Sequence, residues 1–149
     1  MRRDGWMRRK ELGDTILDTG VLVELLAGTE AGKRLAELIR QEMINSYTTE
    51  INITELRYLI CRKLGWEKAE EIVNKLLNSG YIHMLDITPY LRRAAQLKCR
   101  RALSLVDCIT IAAGEKNGFK VMFAKKEKEL EEEINKQPFE TQLIFLNEL

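Results

Sequence analysis

The chain has 149 residues, 45% of them apolar, which favours one folded domain with an ordinary core and excludes disorder as the default state. Its 24 basic and 23 acidic side chains leave a formal net charge of +1, so an overall basic field for nucleic acid is excluded. Any such partner would have to be bound by a local patch or through metal ions. The three cysteines are widely spaced and there is a single histidine, which argues against a zinc site or a disulfide framework and predicts a cytoplasmic protein with reduced thiols.

Strand-like and helix-like patterns alternate along the chain. Residues 1–13 are basic, lack the apolar core of a signal peptide and are interpreted as a flexible extension, so the predicted domain covers residues 14–149. The predicted strands cover residues 15–17, 44–48, 81–85, 120–123 and 142–146. The predicted helices cover residues 21–26, 30–43, 52–64, 66–78, 89–102, 104–116 and 126–136. This alternation predicts a single-domain α/β fold with a mostly parallel, twisted sheet of about five strands and helices on both faces. No apolar run approaches transmembrane length, so no membrane association is expected.

One carboxylate, Asp18, interrupts the apolar stretch from residue 15 to residue 23. Asp18, Thr19 and Gly20 together are typical of a strand-to-helix turn. A carboxylate in apolar surroundings is costly to bury unless a cation or a hydrogen-bond donor meets it. Ligands of open parallel sheets bind beyond the carboxyl ends of the strands, which is where the pattern places Asp18.

A second carboxylate, Asp107, lies in the first turn of a helix that is apolar on nearly all sides and is therefore predicted to be buried. Ser104 is the predicted N-cap of this helix. Leu103 and Ile111 occupy the positions four residues away on either side, so Asp107 has no basic helical neighbour. Taken alone, Asp107 could be a capping residue that complements the helix dipole.

Further acids follow the second and fourth predicted strands. Glu55 lies in the first turn of a helix that Asn52 is predicted to open, and the two residues are interpreted as a capping box. Glu127 and Glu129 follow the fourth strand in a charged segment. Each acid could be a local cap or a solvated side chain, but several carboxylates at one edge of a sheet repel each other unless a divalent cation neutralises them. Oxygen ligands of this kind favour Mg²⁺ or Mn²⁺.

These segments, in this order, resemble the PIN-domain family, and most closely its small VapC-type toxin ribonucleases. The resemblance runs from about residue 15 to residue 146, and its most specific part is the acid in an apolar, alanine-rich helix at residues 104–113, followed by a strand and an acid-bearing turn. It implies a divalent-metal-dependent endoribonuclease that hydrolyses phosphodiester bonds of single-stranded RNA. It also implies a homodimer and a small antitoxin protein that blocks the site. The catalytic acids implied by the resemblance are Asp18, Glu55, Asp107 and Glu127, and the first three would bind the metal.

The resemblance also implies supporting residues. Thr19 would stabilise the acid cluster by hydrogen bonding, and Ser104 would support Asp107. Four basic residues could guide phosphates to the site: Lys125, Lys126, Arg57 and Arg62.

The turn after the fourth strand departs from the family pattern. Lys125 stands where a hydroxyl residue is common, and Glu127 stands where Asp is common, so Glu129 is an alternative fourth acid. If Lys125 paired with an acid in place of a metal, the chain would be a weakly active or inactive module that binds RNA or protein. A phosphoryl-transfer switch is disfavoured because Asp86 is only a marginal phosphate acceptor. The sequence contains no P-loop or dinucleotide-binding motif and no evident Ser-His-Asp arrangement.

Overall fold

The computed structural model describes residues 11–149, which form one five-stranded sheet flanked by helices. The strands are β1 (Gly13–Leu17), β2 (Ile44–Thr49), β3 (Ile82–Leu85), β4 (Lys120–Phe123) and β5 (Leu143–Phe145). They pair in the order β3-β2-β1-β4-β5, and every pair is parallel. The predicted α/β fold is therefore confirmed.

Seven helices cover the two faces of this sheet in the described part of the chain. They are α1 (Thr19–Ala27), α2 (Glu30–Arg40), α3 (Glu50–Leu64), α4 (Trp66–Asn78), α5 (Leu91–Arg100), α6 (Leu105–Asn117) and α7 (Lys128–Lys136). Successive strand residues point to opposite faces. Accordingly Ile16 packs with the core of α5, α6 and α7, whereas Leu17 packs with the core of α1 to α4. Helices therefore cover both faces of the sheet, as is usual for a parallel sheet.

Several boundaries differ from the sequence prediction. Helix α3 begins at Glu50, and its N-cap is Thr49, whose hydroxyl accepts a hydrogen bond from the Asn52 amide. The predicted capping box of Asn52 and Glu55 is therefore wrong, because an extended threonine at the end of β2 already caps the helix. The sheet begins earlier than residue 14, since Gly13 lies in β1 and the Leu12 amide donates to the Met43 carbonyl. The rest of the predicted extension, residues 1–10, lies outside the described residues.

The order of the strands places a crevice beside β1. From β1 the chain moves to β2 and β3 on one side, and β4 then pairs on the other side of β1. Ligands of open α/β sheets bind at such a reversal, beyond the carboxyl ends of the strands. Helix α6 reaches this crevice with its N-terminus, and its seven consecutive residues 108–114 are buried, as the apolar pattern predicts. Within residues 11–149, no helix has the length and apolarity needed to cross a bilayer.

Candidate active site

An acid-lined pocket of about 370 Å³ lies beyond the carboxyl ends of β1 and β4. Its charged lining consists of Asp18, Asp107, Glu127, Glu129 and Lys125. The remaining wall is formed mainly by residues 102–104 before α6 and by Phe123, Ala124 and Leu130. Residues that are more than 100 positions apart in sequence thus meet at one edge of the sheet.

Asp18 is the N-cap residue of α1, but its side chain makes no capping hydrogen bond. Its Oδ1 atom is buried and has no hydrogen-bond partner among the described residues. The pKa of Asp18 is raised to about 7, first because the carboxyl group is desolvated and then because Asp107 lies nearby. The backbone amides of Gly20 and Thr19 offset part of this increase, and Glu55 adds a smaller one. Asp18 is therefore a carboxylate whose charge the surrounding protein does not neutralise.

Asp107 is positioned by the cap of α6. The Ser104 hydroxyl accepts a hydrogen bond of 3.1 Å from the Asp107 amide, so Ser104 is the N-cap, as predicted. The pKa of the Asp107 carboxyl is raised, mainly by burial; the Ser104 hydroxyl offsets part of the shift, and the charges of Glu55 and Glu127 increase it. Because Ser104 already caps the helix, the carboxylate of Asp107 is not required for that purpose.

The remaining acids differ in their positions. Glu55 does not line the pocket, although its charge acts on both Asp18 and Asp107, and the Tyr58 hydroxyl donates to its Oε2 over 3.3 Å. Glu127 lines the pocket with a side chain that is 62% exposed, and its Oε1 lies 3.8 Å from Lys125 Nζ.

The donor chemistry of the pocket fits a divalent cation. It offers carboxylate oxygens, one of which is buried without a partner, and burial together with the charges of neighbouring acids raises the pKa of Asp18 and of Asp107. Within residues 11–149, no three His, Cys, Asp or Glu side chains already form a group that could enclose an ion. The fit therefore rests on the uncompensated charge and on the unpartnered Asp18 oxygen.

Of the four predicted phosphate-guiding residues, Lys125 lines the pocket and the other three have different surroundings. The Lys126 ammonium lies 5.0 Å from the centre of the Phe145 ring. Arg57 Nε lies 2.7 Å from Glu70 Oε1, and the Arg62 guanidinium lies 4.8 Å from the centre of the Tyr58 ring. Two of the three therefore make contacts within the α3–α4 region.

Comparison with known proteins identifies the fold around this site. A family model described as the PIN domain matches residues 15–131. The chain belongs to the PIN domain family. A VapC ribonuclease from Aquifex aeolicus (strain VF5) is 28% identical over 123 residues, which are 77% of this chain and 90% of that protein.

Solved VapBC and VapC structures share the architecture at low sequence identity. The DNA-bound VapBC structure from Salmonella typhimurium aligns with a TM-score of 0.68 at 15% identity, over 89% of this chain and 98% of the other. The Mycobacterium tuberculosis VapC20 structure, described as a sarcin-ricin loop cleaving toxin, aligns with a TM-score of 0.59 at 18% identity, over 72% and 86% of the two chains. These likenesses support the fold.

A buried amide, Asn52, joins the three helices that carry the acids of this PIN domain. Its Oδ1 accepts from the Thr19 hydroxyl at 2.8 Å and from the Thr19 amide at 3.2 Å. Its Nδ2 donates to the hydroxyls of Thr49 at 2.8 Å and Thr110 at 3.0 Å. The sequence predicts that Thr19 forms hydrogen bonds within the acid cluster. In the structure the Thr19 hydroxyl instead donates to Asn52. The network fixes the starts of α1 and α3 against α6.

Sequence reasoning assigned Asn52 to a cap and gave Thr110 no role. One signal was present, because Asn52 lies four residues before the buried Leu56 and is therefore a polar residue on the apolar face of α3. A buried polar side chain needs hydrogen-bond partners, but their identity depends on contacts as far as 58 residues away in sequence.

We expect Asn52→Leu to lower the free energy of unfolding by about 3 kcal/mol, because it leaves the Thr19 amide buried without its partner and removes one hydrogen bond from each of three buried threonine hydroxyls. Urea unfolding of the purified protein measures this change. Thr54→Ala is the control, since Thr54 lies two residues further along α3, is exposed and bonds only to the Glu50 carbonyl; we expect its effect to stay within about 0.5 kcal/mol. Equal losses for the two variants would contradict a stabilising role for the network.

Proposed function

We propose that this PIN domain is a divalent-metal-dependent endoribonuclease that hydrolyses phosphodiester bonds of single-stranded RNA, and that it is the toxin of a toxin–antitoxin pair. The observation that carries the proposal is the meeting of Asp18 and Asp107 in one pocket, where burial and then the charge of Asp107 raise the pKa of Asp18. The similarity to a VapC ribonuclease over most of both chains supports it. The antitoxin partner is supported by the VapBC structures that share the fold, and the homodimer remains a prediction.

Each residue has a role in this proposal. Asp18 and Asp107 would hold the cation, Glu55 would add negative charge from α3, and Glu127 or Glu129 would complete the site from the turn after β4. A divalent cation bound there would activate water and stabilise the charge that develops on the phosphate. Lys125, on the pocket wall, would meet a phosphate of the incoming strand. The buried threonine and asparagine network would keep the starts of the helices in register around the acids.

Incubation of the purified protein with labelled single-stranded oligoribonucleotides tests the proposal. We expect cleavage with millimolar Mg²⁺ or Mn²⁺ and none in EDTA, and the same ions should raise the melting temperature by mass action. The same sequences annealed into duplexes serve as the control and should be cut much more slowly. Undiminished cleavage in EDTA, or no cleavage and no thermal shift with either ion, would contradict the proposal.

A second candidate function is a PIN-like module that binds RNA or protein without catalysis. The ion pair between Lys125 and Glu127 favours it, because a lysine that neutralises the fourth acid competes with a cation for that charge. RNA binding that persists without any metal-dependent cleavage would support this candidate. Lys125→Ser, which restores a hydroxyl at that place, should then increase cleavage.

A further inference from the structure

A second, basic cleft of about 210 Å³ adjoins the acid pocket between α5 and the C-terminal half of α7. Its walls carry four cationic side chains and one carboxylate, together with polar amides. These lining residues are Arg93, Arg100, Arg101, Lys136, Glu133 and Gln137, among others. The cleft therefore has an excess of positive charge beside a pocket that is lined by acids.

The acid pocket and the basic cleft share the same two walls. Along α7, Leu130 lines the pocket and Lys136 lines the cleft, so the two are separated by about 9 Å along the helix axis. On the opposite wall, Arg100 and Arg101 line the cleft and residues 102–104 line the pocket. The Ala102 amide donates to Glu133 Oε2 at 3.2 Å and ties the two walls together where the cavities meet.

Two of the four cations hold the walls of the cleft in place. Arg93 lies 2.7 Å from Glu115 and 3.0 Å from Glu140, so its charge is balanced by two carboxylates. Arg101 donates through Nη1 to the backbone carbonyls of Glu133 at 2.9 Å and Gln137 at 2.8 Å, which closes the C-terminal end of α7.

The other two cations are available to an anion. Arg100 is exposed and forms no ion pair with a carboxylate in residues 11–149. The Lys136 side chain is 69% exposed and shares the buried Glu133 with Arg101. Burial alone would raise the pKa of Glu133, but the Ala102 amide and Lys136 more than offset this effect, so the pKa is lowered and the group is a single fixed negative charge.

The charges on the two helices also differ in sign. Residues 91–102, which contain α5, include five basic residues and no acidic one. The exposed acids of α7 lie towards its N-terminal half, at Glu129, Glu131 and Glu132. A polyanion that leaves the acid pocket is therefore repelled by one side of α7 and attracted towards α5 and Lys136.

We infer that the basic cleft binds a backbone phosphate of the RNA strand whose scissile bond lies in the acid pocket. The two cavities share the α7 wall and the adjoining segment 100–104, so one RNA strand can reach both of them. The inference rests on the proposed function for its choice of RNA. The acid pocket has predominantly negative charge, and the chain as a whole has a net charge of only +1. The basic cleft would supply the local positive patch that RNA binding needs.

The test compares Arg100→Gln, Lys136→Gln and the double variant with Arg92→Gln. Arg92 lies on the same helix and is exposed, but it does not line the cleft. Binding of a labelled single-stranded oligoribonucleotide is measured by fluorescence anisotropy in EDTA over a range of KCl concentrations. We expect Kd to rise about fivefold for each cleft substitution, and the slope of log Kd against log salt to fall by about 0.7 for each lost contact. Arg92→Gln should change Kd by less than about twofold. If it raised Kd as much as the cleft substitutions do, RNA would be held by the general positive charge of the helix and the inference would be overturned.

Cleavage kinetics on the same variants separate this inference from the proposed function. If the wild type cleaves RNA with Mg²⁺, the cleft variants should raise KM and leave kcat unchanged, because the contact lies away from the reacting phosphate. If the double variant kept the wild-type Kd, salt slope and KM, RNA binding by the cleft would be ruled out, whereas the proposed nuclease activity would be unaffected. If RNA binding depended on the cleft but the protein did not cleave RNA, the cleft inference would be supported and the proposed nuclease activity would be contradicted.

Discussion

Asp107→Asn should reduce metal-dependent RNA cleavage at least about a hundredfold, which is ~3 kcal/mol of transition-state stabilisation. The metal-free variant should be as stable as the wild type or more stable. Both effects have one cause: burial, and then the charges of Glu55 and Glu127, make the Asp107 carboxylate costly to keep charged, and a bound cation would offset that cost. Measurements of kcat/KM with Mn²⁺ and of urea unfolding in EDTA give the two quantities.

Two reference variants make this result specific. Ser104→Ala removes the N-cap of α6 and should lower the free energy of unfolding by about 1 kcal/mol. It therefore provides the reference for a variant whose only defect is the loss of the cap. Glu131→Gln removes one exposed negative charge from α7 outside the pocket and should leave cleavage within about twofold. An Asp107→Asn protein that unfolds as easily as Ser104→Ala but still cuts RNA would show that Asp107 serves the helix and not the reaction.

The fold was predictable because its elements are specified locally. Strands β1 and β4 each end in a short apolar segment, residues 16–17 and 121–123, and the helices between them have apolar faces of the usual period. Helix α6 was predictable as a buried element for the same reason, since its apolar residues surround the axis. The element ends were less accurate, because Thr49 competes with Asn52 as a cap and local rules do not rank the two.

The candidate site was predictable in part. Residues with an unusual local pattern were found, whereas contacts between residues far apart in sequence were not. Asp18 and Asp107 were found because each interrupts an apolar stretch, and a parallel sheet brings the ends of its strands to one edge. The distant partners of Asn52 and the pairing of Arg101 with Glu133 could not be found in this way, because these contacts join residues 32 to 58 positions apart and no local pattern identifies which residues meet. Arg57 shows the same limit, since its partner Glu70 lies on the next helix.

The acid pocket is therefore electrostatically unfavourable, and hydrogen bonds elsewhere in the fold keep its acids in place. The Asn52 network and the Ser104 cap hold α1, α3 and α6 in place, while burial and the charge of Asp107 oppose the ionisation of Asp18. Such opposition is typical of sites whose geometry serves a ligand. It should be visible in the stability of the protein without its ligand.

The stability of the metal-free protein should accordingly depend on the protonation of Asp18. The folded pKa of about 7 lies above the ordinary value of 3.8, so the folded state retains a proton that the unfolded state has lost. The stabilisation from this proton is complete below about pH 4 and is lost as the pH rises to about 7, with an upper limit of about 4 kcal/mol. Other groups titrate in the same range, so the informative quantity is the difference between the wild type and Asp18→Asn, whose amide cannot ionise.

We expect Asp18→Asn to unfold with nearly the same free energy as the wild type at pH 4.5 and to be more stable by a few kcal/mol at pH 8, both measured by urea unfolding in EDTA. Asp14→Asn is the control, because it removes an exposed carboxylate of the same strand that lies outside the pocket, so any effect common to both variants does not come from the pocket. Adding Mn²⁺ at pH 8 should stabilise the wild type and not Asp18→Asn, because the cation takes the place of the missing proton. If the difference between Asp18→Asn and the wild type were constant from pH 4.5 to 8, then Asp18 would already be neutralised within the fold, and the charge that the pocket is proposed to hold for a metal would not exist.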